Sequence, residues 1–338
     1  MRPKVLIASY FKEELIARIR SEVPDIDVVY EPELLPVPQY ACDHRGIQRE
    51  LSEQQQDLWQ EHLSNAEIML DFDWWQPESW GQNSPKLRWI QASSAGVGAR
   101  VKALGHDEST ITVTTAAGVH AKPLAEFALA GLLHFVRDIP GLEEDKKAQK
   151  WGGGSTRTLA GRRALVIGAG SIGREVAKTL DFFGVSVDGT TRSGRALGVP
   201  FAQSLALEEL KIGSYDIVVL ACPLTKETKG LFSRQRIAAM KPGALLVNVA
   251  RGPVLDQEAL IEALDSGHVA GAVLDVATPE PLPAGNPLWK APNLIISPHN
   301  AANVDAENSR LVDLFIANLK RYQANETLLN TYDPSAGY

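Results

Sequence analysis

An apolar run, Ala164-Leu165-Val166-Ile167, passes directly into Gly168-Ala169-Gly170-Ser171-Ile172-Gly173. A stretch with Val176, Ala177 and Leu180 at helical spacing follows. Few features restrict a fold more than this one. G-x-G-x-x-G between a strand and a helix is the setting in which each glycine has a physical task. Gly168 makes the tight turn, Gly170 lets a pyrophosphate approach the backbone, and Gly173 lets helix and strand pack. The helix N-terminus then turns its unpaired N–H groups toward the phosphates. Gly168, Gly170, Ser171, Ile172 and Gly173 are therefore expected to bind a dinucleotide.

The next strand bears on which dinucleotide. An acid that holds the ribose hydroxyls of NAD is often found roughly 20 residues past the first glycine. By count Asp188 is that acid. By strand position it falls in the middle of Val185–Thr191 and not at the end. The strand end reads Thr191-Arg192-Ser193, with Arg195 close behind. A hydroxyl followed by arginines suits a 2′-phosphate, because a guanidinium binds phosphate by a forked pair of hydrogen bonds. The expectation is NADP(H) in preference to NAD(H).

Around this unit the chain alternates strand and helix patterns, which means parallel sheets covered by helices. Strands are expected at Val5–Ser9, Ile26–Tyr30, Glu67–Leu70, Arg88–Gln91 and Ile111–Thr115. In the second half they fall at Ala164–Gly168, Val185–Thr191, Tyr215–Ala221, Ala244–Ala250, Val269–Val276 and Leu294–Ser297. Helices are expected at Lys12–Arg20, Ser52–Leu63, Lys122–Arg137, from the glycine turn to about Phe183, near Arg234–Met240, at Gln257–Ser266 with Asp256 as N-cap, and at Asn303–Tyr322. Lys122–Arg137 is apolar nearly all round, so it is expected to be buried on more than one side. A length of 338 residues suits two domains. The fold class expected is α/β, two Rossmann-like lobes with a cleft between them. A dinucleotide-binding domain spans 116–299, and a discontinuous substrate domain joins 1–115 to 300–338.

Composition narrows the partners. The chain is 44% hydrophobic and 22% charged, ordinary for a soluble globular protein. Its formal net charge of −7 offers no basic surplus for nucleic acid. Cys42 and Cys222 lie far apart, without ligand spacing, and are expected to be free thiols in a reducing compartment. The apolar run after Met1 is too short for a signal-peptide core, and no run is long enough to span a membrane. A cytoplasmic protein with no membrane partner is expected. No metal-binding motif is present.

Several stretches after the glycine turn carry a resemblance. "CPLTKETKGLF" (222–232), "LLVNVARGPVLDQEALIEAL" (245–264), "GAVLDVATPEPLP" (271–283) and "SPHNAA" (297–302) resemble the D-isomer-specific 2-hydroxyacid dehydrogenases, of the kind that reduce glyoxylate and hydroxypyruvate. "QASSAGVG" (91–98) and "AGVHAKPLAEFAL" (117–129) are similar to the same family. The resemblance runs from Trp89 onward with motifs in matching order. It implies hydride transfer between NAD(P)H and C2 of a small 2-keto or 2-hydroxy acid. It also implies a catalytic set of Arg251, Glu280 and His299.

The chemistry explains those residue types. Reduction of a keto acid needs a proton on the oxygen, and histidine changes charge near neutral pH. A glutamate bonded to the imidazole would orient it and favour its protonated form. An arginine stays charged, holds the carboxylate and polarises the keto oxygen. The resemblance further implies that Ala95, Gly96 and Val97, with Arg251, contact the substrate. Cys222, Pro223, Thr228, Val249, Ala250 and Asp275 would line the cofactor site. One departure is Asn300 beside His299, where the family more often has an apolar residue or Thr. Phe72, Trp74 and Trp75 are expected in the core of the first domain, with the substrate cleft as the alternative. Trp151, before three glycines, could reach a neighbouring subunit. A homodimer through Lys122–Arg137 is expected. The alternatives are a nucleotide-sensing, corepressor-like protein of the same fold and a dehydrogenase of another donor such as phosphite. The short stretch after Tyr322 is taken to leave no effector domain.

Overall fold

The computed structural model describes residues 2–192 and 194–335, without the side chains of Asp107 and Glu209. In chain order the elements are β1 (Lys4–Ile7), α1 (Glu13–Glu22), β2 (Asp27–Val29), α2 (Glu53–Asn65), β3 (Ile68–Leu70), α3 (Trp80–Asn83), β4 (Trp89–Gln91), α4 (Gly98–Ala103) and β5 (Thr112–Thr114). The chain continues with α5 (Ala121–Val136), α6 (Ile139–Lys147), β6 (Arg163–Ile167), α7 (Ser171–Phe182), β7 (Ser186–Thr191), β8 (Gln203–Ala206) and β9 (Ile217–Leu220). It closes with α8 (Arg234–Ala238), β10 (Ala244–Asn248), α9 (Gln257–Asp265), β11 (Val269–Leu274), β12 (Leu294–Ile296) and α10 (Glu307–Gln323). Contacts divide the chain into two units, Met1–His120 with Asn303–Tyr338, and Ala121–Ala302.

The first unit holds a parallel sheet in the order β2-β1-β3-β4-β5. That doubly wound order reverses between β1 and β3. Val5, Leu6, Ile7, Ile68, Leu70 and Trp89 are all essentially buried, as strands covered on both faces must be. Phe315 and Leu319 of α10 join this core, so the last helix completes a unit that begins at the N-terminus. Ser52 caps α2 through a reciprocal pair of bonds with Gln55, satisfying two N–H groups that the first turn leaves open.

The second unit holds a parallel sheet in the order β12-β11-β10-β9-β6-β7-β8. The order reverses between β6 and β9, which puts the glycine turn after β6 at the switch point, where such sheets bind ligands. Asp256 caps α9 through the Ala259 N–H, as its place before the helix suggests. Gly267 turns the chain beyond that helix at φ +71°, in the left-handed conformation that glycine adopts past a helix end.

The structure departs from the sequence reading in the short helices α3 and α4, which were not expected, and in three further elements. α6 buries no residue and so shows no apolar stripe by which it could be foreseen. β8 escapes notice because it is a short edge strand, paired only with β7 and lacking a buried face. The last helix starts at Glu307 and not Asn303. Glu307 is buried in its first turn, where a negative charge suits the helix dipole. The tryptophans follow the packing expectation in part. Trp75 packs against the core, whereas Trp74 is half-buried with Arg100 over its ring. Trp151 is fully exposed. Among the described residues no helix is long and apolar enough to cross a membrane, no group of His, Cys, Asp and Glu could hold a metal ion, and both cysteines are free and buried.

Candidate active site

The glycine turn has the geometry that its sequence requires. Gly168 sits at φ +101°, and a Cβ there would lie 2.6 Å from the Cys222 backbone. Side chains rarely adopt that region of backbone space. At Gly173 a Cβ would come within 2.0 Å of the Gly168 carbonyl oxygen. A Cβ on Gly170 would meet nothing within 4 Å, so the turn is open on the side a pyrophosphate would take. Ser171 and Ile172 open α7, and the turn is tied to β7 by Gly168 N–H donating to Thr190 Oγ1 at 3.1 Å.

The ribose end is equally specific. Asp188 is buried in mid-strand, where it accepts from Arg163 at 2.9 Å and from the Tyr215 hydroxyl at 2.8 Å. Its carboxylate is thus engaged inside the sheet. At the strand end the Thr191 hydroxyl is buried with no hydrogen-bond partner, and Arg192 and Arg195 are exposed. Ser193 lies outside the described residues. An orphaned hydroxyl beside two arginines fits a phosphorylated ribose. Across the turn, Thr228 donates to the Pro223 carbonyl at 2.6 Å and accepts from Thr225 N–H, so its hydroxyl shapes its own loop. Burial pushes the Cys222 thiol up to about 11, which keeps it neutral beside the turn. Val249 and Ala250 are buried past the end of β10.

Arg251, Glu280 and His299 belong to one unit but to loops after different strands. Arg251 follows β10, Glu280 follows β11, and His299 follows β12. Neighbouring strands of a parallel sheet bring their following loops to one edge, which is how residues distant in sequence meet. His299 Nδ1 lies 2.8 Å from Glu280 Oε2, and Glu280 Oε1 accepts the Ala277 N–H at 2.9 Å. The carboxylate is thereby held at both oxygens. His299 takes a left-handed backbone at φ +56°. That is uncommon for histidine and a strain of the kind found where a side chain must be aimed. Arg251 donates to the Ala250 carbonyl at 2.7 Å and forms no ion pair among the described residues. Burial pulls its guanidinium down while the fields of Glu280 and Asp275 push it up; it stays charged.

Asp275 is buried and takes two bonds on one oxygen, from Ser297 Oγ at 2.7 Å and Ala301 N–H at 3.0 Å. It therefore caps the loop that carries His299. Desolvation pushes its carboxyl up, against these hydrogen bonds. Asn300, the departure noted in the sequence, is tied to the same Ser297 through Oδ1 at 2.8 Å. In the first unit, the loop after β4 is bound through Ala92 to the Thr114 carbonyl and through Ser94 to the Ala116 N–H. Ser93 is bound to Asp71. The N–H groups of Ala95, Gly96 and Val97 are unpaired among the described residues.

Sequence reasoning missed one buried cluster. Glu307 Oε1 lies 3.3 Å from His120 Nε2 and 3.7 Å from His44 Nε2, and His44 Nδ1 lies 3.2 Å from the Ser9 hydroxyl. No local signal joins residues so far apart in the chain.

The family model described as D-isomer specific 2-hydroxyacid dehydrogenase, NAD binding domain, matches residues 129–301. Glyoxylate/hydroxypyruvate reductase A of Serratia proteamaculans is 31% identical over 278 residues, which is 78% of this chain and 86% of that protein. A putative 2-hydroxyacid dehydrogenase of Haemophilus influenzae is 29% identical and covers 88% of this chain and 96% of its own. The crystal structure of a D-isomer specific 2-hydroxyacid dehydrogenase from Xanthobacter autotrophicus Py2, in complex with NADPH and MES, is 29% identical with a TM-score of 0.78 over 100% of both chains.

Proposed function

The chain belongs to the D-isomer-specific 2-hydroxyacid dehydrogenase family and is an NAD(P)-dependent dehydrogenase, and from that premise we propose that it reduces C2 of a small 2-keto acid to the D-2-hydroxy acid with NADPH preferred over NADH. The observation that carries this reading is the His299–Glu280 pair at 2.8 Å at the same end of the sheet as Arg251, which forms no ion pair among the described residues. When bound, the nicotinamide cofactor supplies the hydride.

The residues of the chain do the rest. With Nδ1 donating to Glu280, His299 has Nε2 left to give a proton to the keto oxygen. Glu280 stabilises the imidazolium before transfer and fixes the ring. Arg251 draws charge onto the keto oxygen and holds the substrate carboxylate by its fork of donors. Ala95, Gly96 and Val97 would bind substrate through N–H groups that are unpaired among the described residues. Asp275 keeps Oδ2 for the nicotinamide carboxamide. Gly168, Gly170, Ser171, Ile172 and Gly173 hold the pyrophosphate, with Cys222, Pro223, Thr228, Val249 and Ala250 forming the wall. Thr191, Arg192 and Ser193 hold the 2′-phosphate. NADPH in the Xanthobacter relative supports that preference. In this reading residues 116–299 form the cofactor domain, and residues 1–115 with 300–338 the substrate domain. The half-buried Phe127, Leu129 and Leu133 of α5 support a homodimer through that helix.

The test is the initial rate of NADPH and NADH oxidation at neutral pH with a panel of 2-keto acids. NADPH turnover well above NADH is expected, and Arg251→Ala should lower kcat/KM by about 10²–10³-fold, the scale for removing a charged oxyanion donor. Faster NADH turnover would overturn the cofactor assignment. An Arg251→Ala protein as active as wild type would overturn the site.

A further inference from the structure

Arg100 of α4 lies with its guanidinium carbon 3.8 Å from the centre of the Trp74 ring and 4.6 Å from that of Phe72. Arg45 approaches the same Trp74 ring at 5.9 Å. Two arginines thus share one aromatic platform. Neither forms an ion pair among the described residues. Arg100 Nε is buried without a hydrogen-bond partner, and one terminal nitrogen makes only a 3.4 Å bond to the Asp73 carbonyl. Stacked guanidiniums with unused donors repel one another, and burial of the Arg100 donor adds a desolvation cost.

The nearby acids do not resolve this. Asp71 is buried, with a left-handed backbone at φ +71°, and its carboxylate accepts from the Ser93 hydroxyl at 3.0 Å and from Trp74 Nε1 at 3.3 Å. Asp73 accepts from Trp59 Nε1, Trp75 N–H and Gln76 N–H. Both carboxylates take their hydrogen bonds from neutral donors and set the platform and the Ser93 loop; their fields favour the charged form of Arg100, but burial outweighs them. Asp71 and Ser93 follow β3 and β4, and Arg45 follows His44, which bonds Ser9 past the end of β1. The group therefore sits at the carboxyl ends of the strands that flank the switch point between β1 and β3, where open α/β sheets take ligands. Arg100 is also one turn beyond the unpaired N–H groups of Ala95–Val97.

We propose that Arg45 and Arg100, stacked on Trp74, form a specificity subsite for a second anionic group, carboxylate or phosphate, carried by the 2-keto acid distal to C2. This rests on the reductase reading above. A dianionic substrate would supply the missing acceptor for both guanidiniums, and Arg binds either group by paired N–H donors. A substrate ending in hydrogen or methyl leaves both arginines unpaired and gains nothing from them.

The test compares kcat/KM for glyoxylate and pyruvate with oxaloacetate and 2-oxoglutarate, which add a carboxylate, and with phosphohydroxypyruvate, which adds a phosphate ester. The expected result is that one dianionic class exceeds pyruvate by at least about 10-fold, and which class does so tells carboxylate from phosphate. Arg45→Gln and Arg100→Gln should each cut that preference by about 10-fold, mainly in KM. Arg100→Lys should recover only part of it, since it keeps the charge and loses the fork. Arg45 is exposed, so Arg45→Gln remains informative even if Arg100→Gln unfolds. Pyruvate or glyoxylate used as well as every dianion, or equal losses on both classes in Arg45→Gln, would overturn the subsite and leave the reductase intact. No turnover of any 2-keto acid would overturn the reductase reading, and the subsite with it.

Discussion

Among the described residues the molecule contains two histidine–glutamate clusters, and they differ in almost everything but composition. In the second unit His299 meets Glu280 at 2.8 Å with 43% and 38% of their side-chain surfaces exposed. In the first, Glu307 is shared by His120 and His44 with side-chain exposures of only 6%, 15% and 9%. The His299 pair joins loops at one sheet edge, and the other cluster ties Glu307 of α10 to His44 and His120, both in loops of the same unit. The difference teaches what each arrangement can do. An exposed imidazole with one nitrogen engaged can exchange a proton through the other. A buried carboxylate between two imidazoles holds a fixed charge. Burial alone would push Glu307 up, but the His120 hydrogen bond and the nearby His44 imidazole outweigh that and bring it down to about 2.

The largest effect expected from this contrast is at His299. Replacing it by Gln should lower kcat by about 10³-fold, within the range for loss of a general acid. Thermal unfolding should scarcely move, because the side chain is half in water. A His299→Gln protein within a factor of ten of wild-type kcat would erase the distinction between the clusters.

Glu307→Gln should act in the opposite sense. A carboxyl depressed from an ordinary value near 4.5 to about 2 contributes on the order of 3 kcal/mol to stability when ionised, and the variant should lose much of it. Denaturant unfolding at pH 7 reads the loss, while kcat of the folded fraction should stay within a few-fold. The sign with pH follows from the depressed value. The contribution is complete above about 4.5 and fades as pH falls toward 2, so wild type should lose stability across that window faster than the variant. Parallel curves for the two proteins would show that Glu307 is not the buried charge described.

Glu280→Gln keeps a hydrogen-bonding group beside His299 but removes the charge. A fall in kcat of about 10–100-fold is expected, smaller than at His299, because the proton donor itself remains. A Glu280→Gln protein with wild-type kcat would reduce Glu280 to a spacer. The smallest effect is expected at Asn300. Its bond to Ser297 is exposed and neutral, so Asn300→Ala should change kcat by only about 2-fold, the scale of one such bond. A large loss there would mean that the loop, and not the Glu280 contact, positions His299.

Sequence and structure divide along the same lines as the two clusters. The glycine turn and the Asp256 cap were legible because each rests on residues close in the chain, whereas the His299–Glu280 pair was implied only by the family resemblance of the motifs that carry it. Asp188 was legible as misplaced because a period-2 strand has a countable end. α6 and β8 were not, since a helix or strand without a buried face leaves no pattern to count.

What the sequence determined by itself is the alternation of strand and helix, the dinucleotide turn and the types of residue available for acid–base chemistry. Hydrophobic period and glycine stereochemistry are local properties, and they are written residue by residue. What only the tertiary structure decided is which distant loops share an edge. Arg45 reached the ring that Arg100 covers, and Glu307 reached His44 and His120, because the order β2-β1-β3-β4-β5 and the docking of α10 put them there. Such pairings depend on the summed packing of whole elements, and no short stretch of chain carries that information.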